Sequence, residues 1–270
     1  MKKNNTLKVT LVTLVTLITL VTLVTLQYHY KVFYVNYKSE YKLNNLDKKK
    51  ILIFTIETRD LKIVDIHNKN ISEYSDIHNY KYVFLNNYKN KSIELPVYWW
   101  KLQYMLDLLN NEEEYDYFLW LDSDAFFVDY TIPLESLIEK SPHSSIFIGY
   151  DHNYLNIINI FTYCAGVFML KNDKTSKNFI LDCIEDYIEN YSCIINNKHT
   201  LNGVWAGECY EQGVMNKLIK TKYKENTFKI SESFVTNSVY LSENTVISHI
   251  FGDKDICYNK ITNFLKKKHT

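Results

Sequence analysis

Asp122 and Asp124 stand two residues apart at the end of the apolar run Phe118-Leu119-Trp120-Leu121, with Ala125, Phe126 and Phe127 behind them. In an extended chain, residues i and i+2 project to the same side, so both carboxylates would face one ligand while Ser123 turns away. Two like charges this close repel, and a hard cation or a proton relieves the repulsion. A diphosphate leaving group gives such a cation a purpose. Mn²⁺ or Mg²⁺ bridging carboxylate and phosphate oxygens neutralises charge that grows as a sugar departs. The plain alternative is a solvated turn at the entry to a loop.

The elements around this pair alternate. Ile51–Ile56 and Tyr82–Leu85 are compact apolar runs of strand length and read as buried parallel strands. From Pro96 to Asn110, Trp99, Leu102, Leu106 and Leu109 recur at three or four, which predicts a helix with Pro96 in its first turn. Tyr117–Leu121 is a further strand that delivers the two aspartates, and Ser145–Gly149 and Cys164–Leu170 are strand candidates. A helix over 176–190 places Phe179, Ile180, Cys183, Ile184, Tyr187 and Ile188 on one face, and a shorter one runs from Glu211 to Ile219. Ser233–Val235 and Thr245–Ile250 are strand-like. Such alternation predicts an α/β domain with a mainly parallel sheet, whose ligands sit beyond the carboxyl ends of the strands, where Asp122 and Asp124 lie.

Composition narrows the function. Lysine plus arginine equals aspartate plus glutamate at 31 each, spread along the 270 residues, so no polyanion-binding field is expected and nucleic acid is not a partner. Arg59 is the sole arginine, and there are only six glycines. The five cysteines, Cys164, Cys183, Cys193, Cys209 and Cys257, show no zinc-ligand spacing. They read as buried thiols, with one disulfide open if the domain is lumenal, as Cys183–Cys193 or Cys209–Cys257. Three sequons, at Asn70, Asn90 and Asn190, fit a lumenal domain and also arise by chance in an asparagine-rich chain.

Residues 9–26 are uncharged Val, Leu, Ile and Thr, close to the span of a transmembrane helix. The threonines recur every third residue and precess around a helix, which disfavours an in-plane amphipathic helix. Lys2, Lys3 and Lys8 precede the run and predict a cytosolic tail at 1–8, a signal anchor at 9–26, a stem at 27–48 and the catalytic domain at 49–270 across the membrane. The competing reading is a simple-sequence expansion of a Val-Thr-Leu unit without a membrane role.

In order, Pro96-Val97-Tyr98-Trp99-Trp100-Lys101, Trp120 to Ala125, Ala165-Gly166-Val167-Phe168-Met169-Leu170-Lys171-Asn172, Glu211-Gln212, and His249 with Gly252 resemble the GT-A glycosyltransferases. The sequence is most similar to glycosyltransferase family 34, the retaining α-galactosyl, α-mannosyl and α-xylosyl transferases, over residues 49–255. That resemblance implies a GT-A catalytic domain using Mn²⁺ or Mg²⁺, with Asp122, Asp124 and His249 as ligands and Asp122 also reaching the donor ribose. It implies donor contacts from Lys101, Ala165, Gly166, Gly252 and Lys254, and Glu211 and Gln212 facing the anomeric carbon. An imidazole beside two carboxylates suits Mn²⁺ better than Mg²⁺. Thr55, ending the first strand, is a nucleotide contact by position only, and a small backbone at Gly166 would admit the transferred sugar.

Paired aspartates after a strand also open the haloacid-dehalogenase phosphotransferases. Those place Thr or Val where this chain has Phe126, and use the domain's first strand. The expected activity is therefore metal-dependent, retaining transfer of a hexose or pentose from a UDP- or GDP-sugar to a glycan or glycoprotein acceptor. The expected location is the Golgi or endoplasmic-reticulum lumen, or an equivalent membrane of a large DNA virus or protist. A membrane protein that has kept the fold and lost turnover is the alternative from another class.

Overall fold

The computed structural model describes Thr19, Thr22 and residues 46–88, 94–150, 162–239 and 241–268. Apart from Thr19 and Thr22, the expected anchor lies outside these residues, as do the greater part of the stem and the Asn90 sequon. Among the described residues, no helix is long and apolar enough to cross a membrane. Everything below concerns the unit formed by residues 45–270.

Its strands are β1 (Ile51–Ile56), β2 (Lys81–Leu85), β3 (Tyr117–Leu121), β4 (Ala125–Phe127), β5 (Ile146–Tyr150), β6 (Tyr163–Lys171), β7 (Ile194–Ile195), β8 (Lys198–His199), β9 (Thr227–Ile230), β10 (Val235–Ser238) and β11 (Ile247–Ile250). The helices are α1 (Lys62–His78), α2 (Trp100–Asn111), α3 (Glu135–Ile138), α4 (Lys174–Ile188), α5 (Glu211–Thr221) and α6 (Lys254–Lys268). The main sheet has the order β2-β1-β3-β6-β5-β9. β2, β1 and β3 pair in parallel, as do β5 and β9, while β6 runs antiparallel to both its neighbours. The expected parallel sheet is thus a mixed one. β6 is buried along almost its whole length, and such an apolar run carries no mark of its direction.

One hydrophobic core lies against the main sheet and a smaller one against β4 and β11. In the first, α2, α4 and α5 pack against the main sheet through Trp99, Leu102, Phe118, Phe168, Phe179 and Met215. α4 begins two residues earlier than its apolar face suggests, because Asp173 caps it by accepting from Ser176 N at 2.9 Å. α1 and α6 meet in a smaller cluster with Ile63, Phe126, Ile250, Cys257 and Ile261.

A second sheet, β10-β11-β4, matters most for the site. β11 pairs antiparallel with β4 so that His249 lies opposite Ala125, and parallel with β10 so that Asn237 lies opposite His249. That register carries a histidine from near the chain's end to the residue beside Asp124.

Candidate active site

Asp122 to Asp124 is a turn, not the extended strand expected from the sequence. Asp122 N donates to Gly166 O at 2.8 Å, Ala125 N to Asp122 O at 2.9 Å, and Ile250 N to Asp124 O at 2.9 Å, which pins the turn to both sheets. The carboxylates still converge, for a different reason. One oxygen of Asp122, one of Asp124 and Nε2 of His249 all lie within 4.8 Å of one another. Asp124 Oδ1 is 3.3 Å from His249 Nε2, and Asp122 Oδ2 is 3.7 Å from it. Ser123 turns away as expected, donating to Glu57 Oε2 at 2.8 Å.

The tautomer of His249 follows from its neighbour. Asn237 Nδ2 donates to Tyr150 O at 2.7 Å, so its Oδ1 faces His249 Nδ1 at 2.9 Å and accepts that proton. Nδ1 is thus fixed as a donor, and Nε2 is the nitrogen that faces the aspartates and would give up its proton to take a metal, the usual way an outer hydrogen bond orients a metal-binding imidazole. Burial lowers the basicity of this ring, but the Cys164 sulfur and the Asp124 carboxylate raise it well above the ordinary histidine value. Asp124 is the counterpart. Burial would raise its pKa, yet the charges and hydrogen bonds of His249 and Lys254 hold it well below the carboxylate range. Lys254, at the start of α6, donates to Asp124 Oδ2.

Lys101 bridges this cluster to Glu211. Its ammonium reaches Asp122 Oδ1 at 3.1 Å, Ala165 O at 3.2 Å and Glu211 Oε1 at 3.1 Å. Three protons meet three acceptors, so its expected donor contact is taken up by protein groups. Burial lowers the lysine's pKa, but the two carboxylates outweigh it and keep the ammonium charged. For Glu211 burial dominates and raises its pKa, opposed by Lys101 and reinforced by Asp122. Its Oε2 is buried and has no hydrogen-bond partner among the described residues. Gln212 Oε1 accepts from Ala165 N at 3.1 Å, tying the start of α5 to β6.

A cavity of about 860 Å³ covers these groups. Asp122, Asp124, Lys101, Ala165, Gly166, Glu211, Gln212, His249, Gly252 and Lys254 all line it. Thr55 does not. It is buried, and its hydroxyl lies 2.9 Å from both Leu121 O and His67 Nε2, inside the core. The strand end that does reach the cavity is Ile56-Glu57-Thr58-Arg59, with Arg59 held by both Glu57 oxygens at 2.9 and 2.7 Å. Counting arginines singles out Arg59, but only the structure places it here. Gly166 also differs from its expected role. A Cβ built there would fall 2.1 Å from His249 Cε1, so imidazole, not open space, occupies the room the glycine leaves.

Two further expectations change. Cys193 and Cys209 form the disulfide; Cys183 is a buried free thiol and Cys257 donates to Ile250 O, so neither expected pairing occurs. Asn70 is buried, donating to Phe127 O and accepting from Phe127 N, and offers no glycan acceptor. Trp99 is a core residue stacked on Tyr187, whereas the exposed tryptophan at the cavity is Trp205.

Residues 45–148 match the model of the galactosyl transferase GMA12/MNN10 family, a stretch that holds β1 to β4, the first three residues of β5 and both aspartates but neither Glu211 nor His249. Xyloglucan 6-xylosyltransferase 4 of Arabidopsis thaliana is 30% identical over 114 residues, which is 42% of this chain and 21% of that protein. The chain thus spans about a fifth of the length of that relative. In fold it is similar to the crystal structure of a glycosyltransferase involved in the glycosylation of the major capsid of PBCV-1, with a TM-score of 0.57 at 14% identity over 78% of this chain and 99% of the other. The architecture is a mixed α/β sheet with flanking helices like that of the GT-A glycosyltransferases.

Proposed function

We propose that this chain is a metal-dependent glycosyltransferase that moves a hexose or pentose, with retention, from a UDP- or GDP-sugar to an acceptor. The observation that carries the reading is the convergence of Asp122, Asp124 and His249 Nε2 within 4.8 Å on the wall of the cavity that Glu211 also lines. Two carboxylate oxygens and an imidazole lone pair, the latter aimed by Asn237, form a donor set suited to Mn²⁺. When bound there, a divalent ion would neutralise charge on the diphosphate leaving group.

The chain's own groups account for the rest. Among the described residues Lys254 is held by Asp124 alone and is more exposed than Lys101, which leaves its ammonium able to turn toward a phosphate. Lys101 bridges Asp122 and Glu211 with a single ammonium. Glu211 lines the same cavity, presents one oxygen to Lys101 and, among the described residues, has no partner for the other, so its carboxylate is available to stabilise developing positive charge on the sugar. In the reaction the bond from the anomeric carbon to the diphosphate oxygen breaks, with its electrons leaving on phosphate. The acceptor oxygen bonds to that carbon, and its proton passes to the departing phosphate oxygen on the same face. Glu211 either stabilises the oxocarbenium charge or attacks it to form a glycosyl ester, whose bond then breaks with its electrons returning to the carboxylate as the acceptor oxygen bonds to the carbon, and neither role needs a strong general base.

Membrane anchoring through residues 9–26, with the domain on the lumenal side, belongs to the same proposal. The Cys193–Cys209 disulfide supports it, since such bonds persist in oxidising compartments. The deciding experiment offers purified protein a panel of UDP- and GDP-sugars with Mn²⁺ and follows sugar release by NMR. Mn²⁺-dependent cleavage of one donor, lost in Asp124→Asn and His249→Ala, is expected. Turnover that is undiminished in EDTA, or absent for every donor, refutes the proposal. A β-linked product from an α-linked donor refutes retention.

A further inference from the structure

The loop that leads into Glu211 carries an aromatic surface with no role in the reaction just described. Trp205 is 60% exposed and Val204 79%, yet Trp205 also lines the cavity, as do Val97, Tyr98 and Trp100. Tyr98, Trp205 and Tyr210 form a triangle of rings with centroid separations of 5.2, 5.1 and 5.9 Å. None of the three is a charged group. The cluster thus adds aromatic surface, its rings tilted steeply to one another, to one edge of a cavity that also holds carboxylates and ammonium groups.

The loop is built to hold that face still. Gly203 has φ 89° and Ala206 φ 57°, and a side chain in the left-handed region is strained by about 1 kcal/mol. Gly207 N closes a turn on Val204 O at 3.0 Å. The Cys193–Cys209 disulfide anchors the loop's end, and Trp99 Nε1 donates to Cys209 O at 3.1 Å. The loop also presses on the first turn of α5, where a Cβ at Gly213 would meet Gly207 O at 2.0 Å. Trp205 is therefore held outward, and folding leaves its face uncovered. Fixed, exposed aromatic surface beside a polar cavity marks a place where a ligand with one apolar face is received.

We infer that Trp205, flanked by Tyr98 and Tyr210, is the platform for a sugar ring of the acceptor, so that the acceptor is a glycan. A pyranose has the required shape: a face of C–H bonds that lies on an indole, and hydroxyls around its rim that stay hydrogen-bonded. The position favours the acceptor over the donor. Trp205 lies on the segment that ends in Glu211, while the metal ligands and Lys254 gather the donor's charges through β3, β11 and α6. The inference rests on the transfer reading for the meaning of "acceptor", but not for the binding itself.

The test uses the purified chain and a panel of cello-, manno-, galacto- and xylo-oligosaccharides at millimolar concentration. Binding is read by saturation-transfer NMR from aromatic protons, without turnover. One class is expected to bind wild type, with affinity reduced roughly tenfold in Trp205→Ala and largely restored in Trp205→Tyr. The melting temperature of Trp205→Ala should be unchanged. With acceptor present, KM for the glycan should rise while kcat is kept. Equal glycan binding by wild type and Trp205→Ala overturns the inference, and so does the absence of binding by every class. A matching loss of nucleotide affinity in Trp205→Ala also overturns it, since the platform would then hold the nucleobase. If glycan binding depends on Trp205 but no donor is ever cleaved, the platform stands and the transfer reading falls.

Discussion

Gly166→Ala is the sharpest single test of the site, because the structure says which atoms it moves. Gly166 lies in β6 without a left-handed backbone, so alanine is acceptable to the main chain. The added carbon would sit 2.1 Å from His249 Cε1 and 2.6 Å from both ring nitrogens, where ordinary contact begins at about 3.4 Å. The ring must therefore retreat by more than about 1 Å. It cannot do so while keeping Nδ1 on Asn237 and Nε2 beside Asp124, at 2.9 and 3.3 Å. Displacements of this size cost on the order of 100-fold in activity, and crowding a packed site costs about 1–3 kcal/mol of stability. Expected outcomes are a 10- to 100-fold loss of Mn²⁺ affinity, of the order seen when a ligand's orienting partner is lost, and a lowered melting temperature. Titration of Mn²⁺ against a fluorescent nucleotide and differential scanning calorimetry measure the two. Removing the ring should remove the clash, so Gly166→Ala/His249→Ala should be more stable than Gly166→Ala alone and bind Mn²⁺ no worse than His249→Ala. A Gly166→Ala variant with wild-type Mn²⁺ affinity refutes the contact and the role given to His249.

Glu211→Ala should lower kcat by roughly 100-fold, the scale of one lost transition-state stabiliser, with donor affinity nearly unchanged in equilibrium binding. Reducing Cys193–Cys209, or replacing both by serine, should cost about 3 kcal/mol for a bond joining residues 16 apart, and lower donor turnover because Cys209 stands two residues before Glu211; urea denaturation with and without reductant checks it. His67 gives a pH signature: burial pulls its pKa from 6.5 down to about 4, so the unfolded chain binds the extra proton first. Stability from this group is complete above pH 6.5 and is lost as pH falls toward 4, by about 3 kcal/mol, and His67→Gln should flatten that part of the curve. Protease added to sealed microsomes should leave the domain intact, and its complete digestion would sink the type II topology.

The strands legible in the sequence were those whose burial is continuous. β1 and β3 carry five apolar residues in a row or nearly so, and their limits agree with Ile51–Ile56 and Tyr117–Leu121. α1 leaves little trace in the sequence, because its inward face mixes Ile63 and Ile71 with Ser75 and with His67 and Asn70, whose side chains are buried by hydrogen bonds rather than by hydrophobicity. α6 was hidden by a similar dilution: only Cys257 and Ile261 of its residues are buried, among many lysines. β10 lies later than the expected 233–235, at Val235–Ser238, where alternate burial of Val235 and Asn237 gives no apolar run. At the site, Asp122 and Asp124 were legible from spacing, though a turn and not strand periodicity brings them together. Asn237 was not, since its importance comes entirely from a cross-strand register with His249. Trp205 and Arg59 were equally silent, because neither exposure nor the edge of a cavity has a local sequence pattern.

The charges explain why the two lysines at the site are built differently. Asp122, Asp124 and Glu211 face Lys101, Lys254 and the basic ring of His249, so three anions are balanced by three cations without any ion added. A buried carboxylate left without a partner costs several kcal/mol, so each needs this cover whenever the site is otherwise empty. Lys101 supplies it permanently: its ammonium is buried, all three protons are committed, and it touches both Asp122 and Glu211. Lys254 supplies it provisionally. It is bound to Asp124 through one contact from the first residue of α6, just after the glycine at 252 with φ 120°, and its side chain is 28% exposed. A ligand bringing its own positive charge to Asp124 therefore displaces Lys254 rather than Lys101, and the displaced ammonium remains close to that ligand's negative groups. The consequence separates the two residues experimentally. Lys254→Ala should weaken nucleotide diphosphate binding, raise Mn²⁺ affinity in the absence of nucleotide by freeing Asp124, and leave the melting temperature nearly unchanged. Lys101→Met should instead destabilise the fold, by leaving Asp122 and Glu211 side by side without their shared counter-ion. Equal effects of the two substitutions on stability would refute this division of labour.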